Sequence, residues 1–197
     1  MRLGKPTLTE DLTRVAEMRK HIGDDIELMT DANEAWSIDQ ATRATQRLAE
    51  FDLIWLEEPL KPDDFDGYTH LRQKSPVPLA AGENLHTLAE FRELINRGCV
   101  DFPEPDLTTC GGITPFMKVA RLAEAHNLPL ISHGAHQLHI HLLAASPNAA
   151  YLEVHGFGLE RFMTHTFEID QGYAVAPARH GHGIEFDFDA LMQFQVS

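Results

Sequence analysis

Basic residues are scarce in this chain. Lysine and arginine together number 16 against 30 aspartates and glutamates, a formal net charge of -14 at pH 7. Such a balance disfavours polyanionic partners, so neither nucleic acid nor an anionic membrane is expected. An anionic small molecule would need a local positive source, and a bound metal ion is one candidate. Cysteine is rarer still. Cys99 and Cys110 are the only two in 197 residues, too few for a disulfide framework, which fits a reducing, cytoplasmic setting. No apolar run approaches the roughly 20 residues that span a bilayer, and the first residues carry no signal-peptide core. Low-complexity tracts and obvious linkers are missing as well. What is present is 43% hydrophobic and 23% charged, ordinary for a globular protein with one sizeable core or two small ones.

The stretch "LIWLEEPLKP" poses a specific problem. Phe51 to Leu56 is apolar apart from Asp52 and reads as a buried strand, yet it ends in Glu57 and Glu58 before Pro59. Adjacent carboxylates at a buried strand end either sit in water or hold something positive. The same arrangement recurs. Apolar runs end at Asp31, Glu57, Glu83, Asp106, His133 and Glu153, with successive ends 20 to 27 residues apart. That spacing suits a strand, a short loop, a helix and a return loop.

The intervening segments carry helix punctuation. Thr7-x-x-Glu10, Ser37-x-x-Gln40 and Thr87-x-x-Glu90 have the capping-box pattern, in which side chains satisfy the orphan amides of a helix start. Thr114-Pro115 places proline at a first helical position. Gly23, Gly98 and Asn127 stand where helices should stop. "FRELINRG" and "VARLAEAHN" have amphipathic spacing. The α-β alternation predicts a parallel sheet with helical crossovers. A polar end at the same point of every unit gathers these residues at one sheet edge, which is a ring in a closed barrel and a line in an open doubly wound sheet. Convergence is easier in a ring, so the expected fold is α/β, an incomplete TIM-type (β/α) barrel with about six strands. A full barrel has eight strands in roughly 250 residues. The others are therefore expected before Met1, and "MRLGKP" reads as a loop.

The ring has a chemical logic. Asp31, Glu57 and Glu83 would repel one another without a cation, and oxygen ligands suit magnesium, which keeps positions open for substrate. Asp106 beside His133 fixes the imidazole tautomer and stabilises its protonated form, making a general base. Glu153 closes the ring. A metal chelating a substrate carboxylate opposite such a base is arranged to remove the proton α to that carboxylate and to stabilise the enediolate.

In order and spacing, "LMTDAN", "WLEEPL", "AAGEN", "PDLTTCGGIT", "ISHG" and "SPNAAYLE" resemble the barrel domain of the enolase superfamily. The likeness is greatest to its mandelate-racemase-like branch, which includes many acid-sugar dehydratases. It implies that Asp31, Glu57 and Glu83 bind Mg²⁺, with Glu57 rather than Glu58 as the ligand. His133 with Asp106 would be the base, and Glu153 would hydrogen-bond the substrate carboxylate. Asn33, Asn84 and Glu58 would support the metal site from alongside, and Arg2 and His136 would stand beside the metal site or the substrate. The domain would run over 1–197, with the last ~20 residues an extension returning toward an N-terminal capping domain that this sequence lacks. The family's K-x-K or K-x-R motif is matched only at its end, by Arg2-Leu3-Gly4. Thr109 stands where lysine-base relatives carry their lysine, which favours the histidine-base branch.

The expected activity is dehydration of a sugar acid to a 2-keto-3-deoxy acid. Racemisation or epimerisation of a 2-hydroxy acid is the alternative, and an inactive truncated remnant is the reading from another class. Open strand edges invite association, so a homo-oligomer is expected. Other features read more plainly. The histidines of "HGAHQLHIHLL" suggest zinc, but His139 and His141 do not share a helix face. His180 and His182 belong to a surface loop before a final strand. Gly111-Gly112 makes a tight βα turn, with a phosphate cradle as the alternative. Cys110 is inert packing, and Asp101 and Glu104 read as ordinary turn acids.

Overall fold

Six helix-strand units follow one another in the computed structural model, which describes residues 1–156 and 158–195. The last two residues of the expected C-terminal extension lie outside them. The units are α1 (Leu8–Ile22) with β1 (Leu28–Asp31), α2 (Ile38–Leu48) with β2 (Leu53–Glu57), and α3 (Phe65–Arg72) with β3 (Leu79–Ala81). They continue as α4 (Leu88–Asn96) with β4 (Phe102–Pro103), α5 (Ile113–Ala125) with β5 (Leu130–Ser132), and α6 (His136–Ala144) with β6 (Ala149–Leu152). Strands β1 to β4 form one parallel ladder and β5 with β6 another, and β5 packs beside β4 to continue the arc. All six strands point the same way, so their polar ends meet at one rim. This is the α/β, incomplete (β/α) barrel that the alternation predicts.

Local chemistry explains the helix boundaries. All three capping boxes form reciprocally, at Thr7 with Glu10, Ser37 with Gln40 and Thr87 with Glu90. Gly23, Gly98 and Asn127 take left-handed backbone angles where their helices stop. α5 begins two residues earlier than the proline suggests. Gly112 caps it without a side chain, and Pro115 becomes the third helical residue. Within the first turn a missing amide hydrogen costs no intrahelical bond.

Residues 1–3 are not a loop. Leu3 N–H donates to the Asp31 carbonyl at 2.6 Å, and Asp31 N–H donates to the Met1 carbonyl at 3.0 Å. Arg2 thereby bridges Asp31 in parallel, as a further strand segment beside β1. Three residues with a central arginine show no apolar run, so only the partner strand reveals the pairing.

Two apolar layers position the rim. The larger lies between strands and helices, with Leu48, Leu56, Leu79, Phe91, Phe116 and Leu130 fully buried. The smaller fills the inside of the arc around Trp55, Ala80 and Ile131. The Trp55 ring lies 5.2 Å from Phe102 and 5.4 Å from Tyr151, and the Tyr151 hydroxyl donates to Glu27 at 2.9 Å. Beyond β6 the chain forms a hairpin of β7 (Glu168–Asp170) and β8 (Tyr173–Val175), then α7 (Phe188–Met192). The strand expected after His180 and His182 is reduced to one bridge between Met163 and Phe186. Among the described residues, no helix is long and apolar enough to cross a membrane.

Candidate active site

Asp31 and Glu57 are register partners on β1 and β2. Both line a cavity of about 370 Å³ inside the arc. Glu57 accepts a hydrogen bond from Trp55 Nε1 at 3.0 Å. Its burial, followed by repulsion from Asp31, pushes its pKa up to about 7. Glu83 lies just past β3, beyond Gly82, whose φ is +146°. A Cβ at Gly82 would meet the Glu104 carbonyl oxygen and the Phe91 ring, both at 2.9 Å. Gly82→Ala is therefore expected to cost about 2 kcal/mol or more and to displace Glu83. A melting temperature lower by roughly 4–8 °C would register it. Burial, then the charge of Glu58, lifts Glu83 to about 7.

Glu104 is not the ordinary turn acid that its sequence suggests. Glu104 is only 2% exposed, and its Oε2 has no hydrogen-bond partner among the described residues. Oxygens of Glu57, Glu83 and Glu104 lie within 4.8 Å of one another. Burial, then the charges of Glu57 and Glu83, hold the Glu104 carboxyl well above its usual range. Its sequence signal was parity: Glu104 is two residues before Asp106, on the same face of an extended segment. Asp101, in contrast, is an ordinary structural acid, paired with Arg72 at 2.7 Å. Asp31 is not part of the trio. Its Oδ1 accepts the Asn33 backbone N–H at 2.7 Å. An all-oxygen donor set, crowded enough to raise its own pKa values and containing an unpartnered buried oxygen, fits a hard divalent cation.

Facing this cluster is an imidazole. His133 Nδ1 lies 3.0 Å from Asp106 Oδ2, and its Nε2 lies 3.4 Å from Glu83 Oε2. Thr108 donates to Asp106 Oδ1 through its amide at 2.7 Å and its hydroxyl at 2.8 Å. Burial alone would raise the Asp106 carboxyl, but the bonds from His133 and Thr108 outweigh it and hold it below its ordinary value. Burial likewise opposes a charge on His133. The bond to Asp106 and the charges of Glu83 and Glu153 prevail, and its pKa rises to about 9.

His139 ties the two halves of this pair together. It is fully buried, accepts the Leu107 N–H at Nε2 (2.9 Å) and donates from Nδ1 to the Gly134 carbonyl (2.6 Å). Leu107 follows Asp106 and Gly134 follows His133, so one ring fixes both loops. Burial lowers the His139 pKa, in keeping with a neutral imidazole that both donates and accepts. His139→Leu strands an amide and a carbonyl and is expected to cost about 2–4 kcal/mol in a thermal melt. The histidines of α6 are all engaged elsewhere than in a zinc site. His141 Nε2 contacts the His182 carbonyl at 3.0 Å, and no candidate metal-binding group among the described residues contains His136, His139 or His141.

The remaining expected residues divide. Glu153 Oε2 accepts the Gly134 N–H at 2.8 Å, and His155 Nε2 lies 2.9 Å from the same oxygen. His155, which the sequence reading did not consider, also meets the His133 ring edge-on at 5.1 Å. Arg2 donates to Asn33 Oδ1 at 2.7 Å. Glu58 is fully buried with φ +38° and turns to Asn84, whose Nδ2 donates to both its oxygens at 3.0 Å and to Glu83 at 3.4 Å. Burial lifts the Glu58 carboxyl to about 7. His136 is not a cavity residue. It is 3% exposed, lies 2.7 Å from Glu160 Oε1 through Nε2, and accepts the His155 N–H at Nδ1. It anchors the segment after β6 to α6.

Comparison with known proteins meets this geometry. The family described as enolase C-terminal domain-like matches residues 1–190. The 3,6-anhydro-α-L-galactonate cycloisomerase of Streptomyces coelicolor is 46% identical over 196 residues, covering 100% of this chain and 54% of the relative. A racemase from Streptomyces coelicolor A3(2), crystallised with bound magnesium, superposes with a TM-score of 0.95 at 45% identity, over 100% of this chain and 54% of that one. An L-talarate dehydratase from Polaromonas sp. JS666, complexed with Mg and L-glucarate, gives a TM-score of 0.91 at 38% identity, over 97% of this chain and 53% of that one. The chain spans about half the length of these relatives. With the arc of parallel strands and the rim of acids already in view, the match over 190 residues places it: this chain belongs to the enolase superfamily, in its mandelate racemase/muconate lactonizing enzyme family.

Proposed function

We propose that this chain carries the proton-abstraction site of a magnesium-dependent acid-sugar dehydratase. The observation that carries the reading is the His133–Asp106 pair facing the carboxylate cluster, with His133 Nε2 3.4 Å from Glu83. Asp31, Glu57 and Glu83 would hold the ion. When bound, magnesium supplies a Lewis acid that attracts the substrate carboxylate and stabilises charge developing on it.

The side chains divide the remaining work. Asp106 keeps the His133 Nδ1 proton in place, and a cation that neutralised Glu83 would remove one of the charges holding a proton on Nε2, so that Nε2 could take the proton α to the substrate carboxylate. The imidazolium so formed is stabilised by Asp106 and Glu83, the groups that already raise its pKa. The electron pair of the broken C–H bond becomes the new C=C bond, and the C–O bond to the β-hydroxyl breaks as that oxygen receives the proton held by the His133 imidazolium and departs as water. The resulting enol tautomerises to the 2-keto-3-deoxy acid. Glu153, whose Oε2 lies 2.9 Å from His155 Nε2, would hydrogen-bond the substrate carboxylate. Arg2, paired with Asn33 at the rim, would add the positive charge that an anionic sugar acid needs.

Racemisation shares the first step and differs in what returns the proton. Arg2 stays charged and is a poor base for that purpose. A catalytically inactive chain is the reading from another class. A panel of aldonic and aldaric acids, incubated with the chain and magnesium and followed by NMR, separates these. A 2-keto-3-deoxy product is expected. An epimerised acid supports racemisation instead, and no turnover of any sugar acid would overturn the enzyme reading for this chain. The proposal extends to a cytoplasmic homo-oligomer in which residues after about 177 extend the same domain. Its two free, buried cysteines support the compartment.

A further inference from the structure

We propose that Glu104 contributes a carboxylate oxygen to the same divalent cation as Glu57 and Glu83. The inference rests on the metal reading above and adds a ligand to it. Glu104 is 2% exposed, and an oxygen of each of Glu57, Glu83 and Glu104 lies within 4.8 Å of the other two. A buried carboxylate beside two others is costly unless a cation or a donor compensates it. The nearby donors are committed elsewhere: Trp55 Nε1 to Glu57, and the Asn84 amide to Glu58 and Glu83. Glu104 Oε2 has no hydrogen-bond partner and makes no ion pair among the described residues, although it lines the cavity that also holds Asp31 and Glu57. Ser132 Oγ, buried and unpartnered, lines the same cavity. Two unpartnered buried polar atoms lining one cavity call for a partner there.

The placement has a backbone cause. Gly82 lets β3 pass within van der Waals reach of the Glu104 carbonyl, which brings the loop after β4 against the one carrying Glu83. With Glu104 engaged, the cation meets carboxylates from three successive strand ends, β2, β3 and β4, with Asp31 on the β1 side.

Manganese is a suitable probe, because its binding is read directly by electron paramagnetic resonance without substrate. Glu104→Gln keeps the shape of the side chain and removes its charge. The variant is expected to bind Mn²⁺ about 10-fold or more weakly. In EDTA it should melt no lower than the parent chain, since it loses only repulsion. Equal or tighter Mn²⁺ binding by Glu104→Gln overturns the assignment of Glu104 while leaving the metal site intact. A variant that melts lower in EDTA also overturns it, because its weaker binding would then reflect damage to the fold. If the parent chain binds no Mn²⁺, the metal reading falls and this ligand with it.

Discussion

Stripped of divalent ions, the chain is expected to lose stability as the pH rises from 5 to 8, and excess magnesium should restore it. Glu57, Glu58 and Glu83 titrate near 7 in the folded chain against an ordinary 4.5. Between those values the folded state binds more protons than the unfolded one, so stability falls as pH rises through the window. His133 acts in the same direction. With its folded pKa near 9 against 6.5, its contribution is fully present below 6.5 and is lost as pH rises through 9. Asp106 has the opposite sign and sets the acid limit. Its pKa is held below 3.8, so its contribution is present above that value and is lost as pH falls through the lowered one. One group shifted this far corresponds to roughly 3 kcal/mol. The carboxylates share one mutual repulsion, so about 3 kcal/mol is taken for the whole cluster. That predicts a fall in melting temperature of roughly 6–12 °C. Magnesium at about 100 times its Kd would return about 2.7 kcal/mol. A melting temperature flat or rising from pH 5 to 8 in EDTA, or unmoved by magnesium, would mean that the acids do not form a cation site.

The second large effect concerns the base. His133→Asn should reduce abstraction of the α-proton by about 10²–10⁴-fold while leaving Mn²⁺ binding largely intact, because the imidazole meets the cluster only at Glu83. Asp106→Asn should act through His133. It removes the acceptor at 3.0 Å and the strongest influence raising the imidazole pKa. The His133 resonance in a proton NMR titration should then move down from about 9. A variant that lost activity with His133 still titrating near 9 would show that Asp106 does not act through the imidazole.

Element order and the rim were legible because their signals are local. Capping boxes need only four residues, and a polar residue closing an apolar run is visible in one line of sequence. Residues 1–3 were not legible, since pairing to β1 belongs to both strands and a central arginine hides the pattern. Glu104 was misread for a related reason. Between Pro103 and Pro105 it has the composition of a turn, while its burial goes with the parallel pairing of β3 and β4, with Gly82 packed against its carbonyl. His136 and His139 looked alike in the sequence. Their roles diverge because one meets Glu160, far along the chain, and the other meets the loops around Asp106 and His133.

The strained backbone follows the same geography. Asn33, Glu34, Glu58 and Ala135 all take positive φ just beyond strand ends, and none is glycine. Such conformations persist where surrounding structure imposes them, and they concentrate at functional sites. Here they turn the chain sharply after three of the six rim residues, Asp31, Glu57 and His133.

The chemistry proposed for the rim is removal of a proton α to a carboxylate with the help of a divalent ion. The direct measurement is deuterium incorporation at the α-carbon of sugar acids in D₂O, followed by NMR with the parent chain and with His133→Asn, each with magnesium and with EDTA. Exchange is expected for at least one sugar acid with the parent chain and magnesium, and is expected to be lost in EDTA and lost with His133→Asn. Exchange that survives both EDTA and the His133 substitution would contradict that chemistry, as would no exchange of any sugar acid under any of these conditions.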